Sequence, residues 1–240
     1  MRDYGVTDSQ RQWLSRLVST RRIVVVPTAN ALGYFRKERQ EGNTDPNRDF
    51  PYDLTDPETC MQSVAARTLN EVFRDHLFQL ALTFHGGMEV VGYEWGAPSW
   101  DGFKSPDDTA QSVIANAYSR YGGGWATSVP YKNGPMNDLV YAVRGGMEDW
   151  AYAGSWDPER VIQCEPTTYG GYPKEKTTYN NSTLRVFNML VETSNQKIPD
   201  KSDLGTSLNL LEGQSEGNGH VARNIRLALL AADLVEPYLS

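Results

Sequence analysis

The pattern of apolar and polar positions alternates between helical and strand-like spacing. Residues 9–18 carry apolar side chains at helical intervals, and four β-branched or aliphatic residues follow at positions 23–26. Residues 56–76 predict a long helix that begins at the N-cap Asp56, and residues 79–84 predict a buried strand. Because a strand, a helix and a strand follow one another, we expect the two strands to pair in parallel.

The second half of the chain repeats this alternation around a long irregular stretch. Residues 107–121 predict a helix, residues 184–191 a strand, and residues 221–234 an amphipathic helix capped by Asn218. The segment in between, up to position 182, is rich in Gly, Pro, Tyr and Trp and shows little periodicity. Such a stretch inside a domain is typical of functional loops.

Length and composition suit a single domain. The chain has 240 residues, of which 39% are hydrophobic, so we expect one α/β domain over residues 1–240. Its core would be a mixed, largely parallel twisted sheet flanked by helices. The longest apolar run, residues 227–235, is interrupted by Asp233 and is shorter than the ~20 residues that span a bilayer. We therefore expect no transmembrane segment.

The net charge bears on which kind of molecule the protein can bind. A charge of −7 and the absence of a basic run argue against nucleic acid, because phosphate binding depends on clustered Lys and Arg. The same charge favours the approach of cationic peptides.

The two cysteines and a pair of sequons bear on the compartment. Cys60 and Cys164 are too far apart for a CxxC motif, so they form either one disulfide or two buried thiols, and we favour the thiols. Residues 180–183 contain two overlapping N-glycosylation sequons, which have meaning only in a secretory compartment. These sequons favour a secreted or lumenal location for the full-length protein.

Two isolated residues are candidates for catalytic chemistry. His85 stands at the end of a predicted strand, where open α/β sheets place their ligands, although a single His is more often a hydrogen-bonded structural residue. Glu192 directly follows the apolar residues 189–191. At a strand end, partial burial raises the pKa of a carboxyl group toward the range of a general base.

A group of cations suggests a binding site for a carboxylate. Arg36, Lys37, Arg39 and Arg48 lie close in sequence to Asn47. The planar guanidinium group of Arg can hold both oxygens of a carboxylate. A solvated charged loop is the alternative interpretation.

The order of these segments resembles that of the zinc metallocarboxypeptidases. Residues 45–51, DPNRDFP, resemble that family's Asn-Arg-Asn-Phe-Pro segment, and residues 31–34 resemble its Asn-Pro-Asp-Gly-Tyr segment. Residues 84–87 resemble its histidine segment, residues 145–152 its tyrosine loop, and residues 190–193 its catalytic glutamate strand. The resemblance implies the fold of that family from about position 23 to the closing helix.

The resemblance also implies an activity, namely the release of single C-terminal amino acids from peptides or proteins. His85 would be a ligand of a single zinc ion, and Asn47 and Arg48 would bind the C-terminal carboxylate of the substrate. Arg39, or alternatively Arg36, would polarise the scissile carbonyl and stabilise the oxyanion.

Two further roles follow from the same resemblance. Tyr152 would close over the bound terminus on a mobile loop, and Glu192 would be the general base. Asp157 or Glu159 would favour a C-terminal Lys or Arg by direct pairing. An amidohydrolase of the same fold, acting on small acylated amino acids, is disfavoured because the tyrosine loop matches the peptidase pattern.

The chain departs from the family at the metal. The family takes two zinc ligands from a His-x-x-Glu segment, which this sequence does not contain. His85 alone is insufficient, because a catalytic zinc needs about three protein ligands. The chain is then a fragment without its N-terminal strands, a non-catalytic pseudo-peptidase that binds peptide C-termini, or an enzyme with other ligands. We favour the fragment, which predicts an exposed sheet edge and a missing N-terminal segment or partner chain.

Overall fold

One four-stranded sheet organises the structure, a computed structural model that describes residues 5–124, 129–178, 185–205, 210–211 and 219–235. The strands are β1 (Leu80–His85), β2 (Glu89–Tyr93), β3 (Lys132–Pro135) and β4 (Phe187–Thr193). Their order in the sheet is β1-β4-β2-β3. Strand β1 pairs in parallel with β4, β2 pairs in parallel with β3, and β2 and β4 are antiparallel. The expected mixed, largely parallel sheet is therefore confirmed.

Seven α-helices lie in the described part of the chain. They are α1 (Asp8–Thr20), α2 (Ala31–Arg36), α3 (Val64–Asp75), α4 (Asp108–Gly122), α5 (Met136–Leu139), α6 (Met147–Ala153) and α7 (His220–Leu234). None of the described helices is long and apolar enough to cross a membrane. The predicted positions of α1, α4 and α7 are confirmed, while the predicted cap Asn218, the start of the strand at 184 and both sequons lie outside the described residues.

The predicted helix over residues 56–76 is divided in two. A short 3-10 helix, Pro57–Thr59, is capped by Asp56, and α3 begins only after the N-cap Ser63, whose side chain accepts a hydrogen bond from Ala66 N. The chain between them is extended at Cys60. The periodicity of apolar residues gave no sign of this break, because Pro57–Thr59 contributes no buried side chain to the pattern.

The long irregular stretch contains more structure than its composition predicts. It includes β3, α5 and α6, and all seven residues of α6 are buried. A helix without an exposed face shows no amphipathic pattern, so the period of apolar residues could not reveal it.

Helices cover the sheet on both faces and form two apolar cores. One core joins α3, α6 and the aromatic loops, and its largest buried side chains include Phe50, Tyr52, Trp95, Trp150 and Tyr152. The other joins α4, α7 and the opposite face of the sheet, and its members include Val91, Tyr118, Tyr131, Met189 and Leu227. The sheet is thus placed between two helical layers, an arrangement that parallel pairing requires.

The prediction of a strand at residues 23–26 is wrong for this structure. The segment is extended but belongs to no strand of the described chain, and Val25 is 74% exposed. Its expected partner, β1, pairs with β4 only, and the other edge of β1 has no described strand beside it. A β-branched run forms a strand only where a neighbour completes its backbone hydrogen bonds.

Cys60 and Cys164 form a disulfide, contrary to the expectation of two buried thiols. Both residues are fully buried in the core beside α6, and they close a loop with a sequence separation of 104 residues. The pairing of two such distant cysteines depends on the fold and has no local sequence signal.

Removal of this disulfide should lower stability. We expect Cys60→Ser together with Cys164→Ser to reduce the free energy of unfolding by about 2–5 kcal/mol, because a long loop gains entropy in the unfolded chain. Urea unfolding of the oxidised protein and of the double variant measures the difference. Two free thiols in the denatured, unreduced protein would contradict the disulfide.

Candidate functional site

The parallel pairing of β1 with β4 places His85 opposite Glu192. The distance between His85 Nδ1 and Glu192 Oε1 is 3.3 Å, and the carboxylate is buried. Within the described chain, the second oxygen of Glu192, Oε2, is buried without a hydrogen-bond partner. An unpartnered buried carboxylate oxygen is costly, so it marks a place where a ligand or a water molecule is expected to bind.

The loop after β1 holds this pair in place. Thr193 Oγ1 donates a hydrogen bond of 2.9 Å to His85 O, and Gly87 N donates one of 2.8 Å to Ser194 O. Gly87 has a φ of +139°, a conformation that favours glycine. The side chains of Lys197 and Glu192 both lie against Gly87, because a Cβ atom at this position would be 3.4 Å from Lys197 Cε and 3.8 Å from Glu192 Oε2. Lys197 is therefore a cation of the site that the sequence motifs did not indicate.

Asn47 is fixed by the first turn of α6. Its Oδ1 accepts a hydrogen bond of 2.9 Å from Met147 N, and its Nδ2 lies 3.4 Å from Glu148 Oε1. Glu148 Oε1 also accepts a hydrogen bond of 2.6 Å from Thr83 Oγ1 on β1. Asn47, Glu148 and the end of β1 thus form one connected polar group, in which Asn47 keeps one amide hydrogen for a further acceptor.

A glycine permits the close approach of the segment before α6 to the segment that carries Asn47. Gly145 has a φ of +68°, and a Cβ atom at this position would lie 2.3 Å from Arg48 O. Its backbone also accepts from Phe50 N and donates to Tyr52 O. Any other residue at 145 would push α6 away from the segment that carries Asn47.

Asp49 anchors the same segment to α3. Its carboxylate is fully buried and accepts hydrogen bonds from Gln62 N, from Ser63 N and from the Ser63 hydroxyl. Burial raises the pKa of Asp49 to about 6, although these donors and Arg67 act in the opposite direction. The Asp that replaces the family's Asn at 49 is therefore a structural residue.

Arg39 lies beside Asn47 and is oriented by a carboxylate. Its Nε donates a hydrogen bond of 2.6 Å to Asp45 Oδ2, and its backbone oxygen accepts one of 2.8 Å from Asn30 Nδ2. The other oxygen of Asp45, Oδ1, accepts a hydrogen bond of 3.1 Å from the backbone N of Asn47, so one carboxylate contacts both residues. Arg36, the alternative, is exposed at the end of α2.

A groove of about 690 Å³ connects these groups, and we call it the β1 groove. Residues 22–26, the edge segment, form one side and β1 forms the other. Arg39, Asn47 and His85 all line the β1 groove, and Glu192 contacts His85. Four of the six predicted site residues therefore lie together at one place.

The guanidinium of Arg48 is directed away from the β1 groove. Its Nη1 donates to Asn47 O, and its Nη2 lies 3.4 Å from the hydroxyl of Tyr141. The residue lines a second cavity of about 550 Å³ together with Arg144. Arg48 is adjacent to the β1 groove, but its guanidinium does not face it.

Tyr152 is located in the core and not on a loop over the site. It is 0% exposed, packs against Trp95 and Trp156, and donates a hydrogen bond of 2.7 Å to Asp107. Burial and this carboxylate raise the pKa of its phenol. A residue in this position contacts a ligand only if α6 leaves the core, so its placement does not fit the role that the motif suggested.

A second tyrosine near Gly145 is exposed. Tyr141 is 60% exposed, and its ring centroid lies 6.0 Å from Arg48 Cζ. It stands four residues before Gly145, in a segment without regular structure.

The two acidic residues proposed for substrate preference do not line the β1 groove. Asp157 is buried, accepts a hydrogen bond of 2.8 Å from the Tyr52 hydroxyl and pairs with Arg160. Glu159 is exposed, and neither residue lines the β1 groove. Glu148 is the carboxylate that contacts Asn47.

Two more carboxyl groups are buried beneath α6. Asp149 accepts hydrogen bonds from Gly96 N, and burial raises its pKa to about 7. Burial also raises the pKa of Glu94 well above its usual range, and one of its oxygens, Oε1, has no partner in the described chain. The folded state is therefore most stable when these two carboxyl groups are neutral.

The described residues do not complete a zinc site. His85 and Glu192 are within reach of one another, and the unpartnered Oε2 of Glu192 is an open acceptor. No group of three His, Cys, Asp or Glu side chains that could hold a metal exists among the described residues. A catalytic zinc needs about three such ligands, so the zinc expected from the resemblance does not fit these residues alone.

Comparisons of the sequence with known proteins give one family. A family model described as zinc carboxypeptidase matches residues 1–182. A search of curated proteins found no match to the chain.

Solved structures with a similar fold include a carboxypeptidase A and two structures of thrombin-activatable fibrinolysis inhibitor. Thrombin-activatable fibrinolysis inhibitor has a TM-score of 0.54 at 14% identity, over 96% of this chain and 53% of that one. Carboxypeptidase A from Helicoverpa armigera has a TM-score of 0.48 at 14% identity, and the match covers 82% of this chain and 44% of that one. Bovine thrombin-activatable fibrinolysis inhibitor, in complex with tick carboxypeptidase inhibitor, has a TM-score of 0.46 at 14% identity. The match covers 86% of this chain and 67% of that one. This chain thus spans 44–67% of the length of these structures.

The buried acid beneath α6 should make stability depend on pH. Because the pKa of Asp149 is raised in the folded state, its contribution is complete below pH 3.8 and is lost as the pH rises through about 7. We expect Asp149→Asn to reduce the loss of unfolding free energy between pH 4.5 and 7.5 by about 3 kcal/mol. Urea unfolding at both pH values measures it, with the exposed Asp101→Asn as the control. Equal pH dependence in the wild type and in Asp149→Asn would contradict the assignment.

Proposed function

We propose, from the premise that the chain belongs to the zinc carboxypeptidase family, that it forms the substrate-binding part of a metallocarboxypeptidase. The reaction is hydrolysis of the last peptide bond, which releases a single C-terminal amino acid. The observation that supports this proposal is that Arg39, Asn47 and His85 line the same groove, with Glu192 paired to His85.

Arg39 and Asn47 are suited to the negative charges of such a reaction. Arg39 is held by Asp45, whose other carboxylate oxygen accepts a hydrogen bond from the backbone N of Asn47. A fixed cation stabilises the charge that develops on the scissile carbonyl without reorganisation, and the free amide hydrogen of Asn47 can donate to a terminal carboxylate. Arg48 would need to rotate away from Tyr141 to join them.

Glu192 is suited to proton transfer. Its Oε1 faces His85, while its buried Oε2 has no partner in the described chain and can accept a proton from a water molecule. In our proposal it then passes this proton to the leaving amine. Zinc, when bound, would supply Lewis-acid activation of the water in enzymes of this kind.

The remaining zinc ligands are proposed to come from outside the described residues. His85 would contribute one ligand. The alternative function is a non-catalytic module that binds peptide C-termini, and the absence of a three-ligand cluster in the described residues favours it. Zinc dependence separates the two functions.

Catalysis can be tested with Glu192→Gln. We expect the chain extended by its upstream coding sequence to bind one zinc ion and to release C-terminal residues, and residues 1–240 alone to do neither. In the extended chain, Glu192→Gln should keep the zinc and lower kcat by about 10²–10⁴-fold, because the proton acceptor is lost. Zinc analysis and amino-acid release measure both quantities, and the exposed Glu159→Gln serves as the control.

Two results would contradict the catalytic proposal. An unchanged kcat in Glu192→Gln would remove Glu192 as the base. If neither chain binds zinc or cleaves, while both bind peptides through their C-termini, the non-catalytic module is the correct function.

We also propose that the enzyme prefers a basic C-terminal residue, and that Glu148 causes this preference. Glu148 is 3% exposed and lies next to Asn47, so a substrate carboxylate at Asn47 would bring a second negative charge into a buried site. A positive side chain on the terminal residue offsets this repulsion. Asp157 is already paired to Arg160 and does not serve this purpose.

The preference can be measured as a ratio of kcat/KM values. In the extended chain, we expect peptides ending in Lys or Arg to exceed those ending in Leu by about tenfold or more, and Glu148→Gln to bring the ratio close to one. The variant Glu159→Gln is the matched control and should leave the ratio unchanged. A Glu148→Gln ratio equal to that of the wild type would exclude the role of Glu148.

A further inference from the structure

Thr193 links the backbones of the two strands that carry His85 and Glu192. It directly follows Glu192 on β4, so the two side chains point to opposite faces of the sheet. Its hydroxyl donates a hydrogen bond of 2.9 Å to His85 O on β1. This bond lies between the last register pair of the two strands and the bond from Gly87 N to Ser194 O. The hydroxyl thus connects the strands at the point where both site residues are attached.

Tyr131 holds the backbone of Thr193 from the same side. Its hydroxyl donates a hydrogen bond of 3.1 Å to Thr193 O, and it lies 3.0 Å from Asn224 Oδ1 on α7. Tyr131 is 2% exposed and belongs to the core between the sheet and the helices α4 and α7. Thr193 is therefore held from the face of the sheet opposite to the candidate site.

Arg223 of α7 fixes the ring of Tyr131. Its Cζ lies 3.5 Å from the ring centroid, and its side chain is fully buried. Nη1 lies 3.2 Å from Glu89 Oε2, and Nη2 donates a hydrogen bond of 2.9 Å to Val129 O. Glu89 is the register partner of Thr193 on β2, so this ion pair joins α7 to the same strand position. A desolvated cation is attracted to an aromatic face, which keeps the ring directed at Thr193.

The Tyr131 hydroxyl remains a donor well above neutral pH. Burial raises the pKa of Tyr131 to about 12, although Arg223 and Asn224 act in the opposite direction. Because the phenol is protonated, its contact with Thr193 O is kept throughout the range in which the protein is folded at neutral pH.

The end of β1 depends on support of this kind. Within the described chain, β4 is the only strand that pairs with β1, and His85 is the last residue of β1. The ends of an element open more easily than its middle. A side-chain hydrogen bond to His85 O therefore limits movement where the sheet itself gives the least support.

We propose that Thr193 and Tyr131 are positioning residues, which fix the backbones that carry Glu192 and His85. This inference rests on the proposed function, in which Glu192 is the base. Neither residue contacts the substrate in our proposal. They act on the separation of the two site residues, which is 3.3 Å between His85 Nδ1 and Glu192 Oε1. A misplacement of about 1 Å in a site can lower a rate about 10²-fold.

Hydrogen exchange on residues 1–240 tests the positioning without any measurement of catalysis. The amide of Gly87, which donates to Ser194 O, reports whether the two strand ends stay together. We expect Thr193→Val and Tyr131→Phe each to speed its exchange about fivefold to tenfold, the factor of one lost hydrogen bond. Thr193→Ser keeps the hydroxyl and should exchange like the wild type.

Tyr118→Phe is the matched control for Tyr131→Phe. Tyr118 is fully buried in the same core, and its hydroxyl has no hydrogen-bond partner in the described chain. The substitution removes the same group without a link to β4. It should leave the exchange of the Gly87 amide unchanged.

Kinetics on the chain extended by its upstream coding sequence supply the second test. Thr193→Val should lower kcat about 10–100-fold and change KM by less than about twofold, because the proposed substrate contacts at Asn47 are unaltered. Thr193→Ser should restore kcat, and Tyr118→Phe should leave it unchanged. Thr193→Val together with Tyr131→Phe should cost less than the product of the two single effects, because both act through one chain of contacts.

Three results would overturn the proposal. These are an unchanged Gly87 exchange rate in Thr193→Val, an unchanged kcat in that variant, and a loss of kcat in Thr193→Ser equal to that in Thr193→Val. If the extended wild-type chain releases no amino acid, the proposed function is wrong. In that case the exchange of the Gly87 amide alone confirms or overturns the positioning.

Discussion

The parallel ladder between β1 and β4 is the interaction on which the site depends. It sets His85 opposite Glu192, and it points Thr83 toward Glu148 on the same face of the sheet. A slip of one residue would turn every side chain of β1 to the other face and would separate these groups. The same strand has its other edge open in the described chain, so the element that orders the site is an edge strand of the sheet.

A second layer of buried groups holds the loop of residues 45–49 against that ladder. Asp49 fixes the loop to the start of α3, and Asn47 fixes it to the start of α6. Gly145 allows the two segments to touch, because a side chain there would collide with the Arg48 backbone. The loop is thus held by α3 and by α6, and Asn47 lies on a rigid support.

Local patterns in the sequence predicted the elements and the residues that depend on neighbours along the chain. Periodicity located α4, α7 and β1, and short motifs located Asn47, His85 and Glu192. Non-local contacts decided the rest. The edge segment has a strand composition but no partner, the disulfide joins residues with a sequence separation of 104, and Tyr152 belongs to a helix buried on all sides. The direction of Arg48 likewise follows from its contact with Tyr141.

The central claim is that Asn47 binds a peptide through its C-terminal carboxylate. NMR titration of the Asn47 side-chain amide with an acetylated peptide, as the free acid and as the C-terminal amide, tests it most directly. We expect the free acid to shift the Asn47 resonances with an affinity about tenfold higher than the amide, and Arg36→Gln, which changes an exposed cation at the end of α2, to leave this difference unchanged. Equal shifts with both peptides, or no shift with either, would contradict the account.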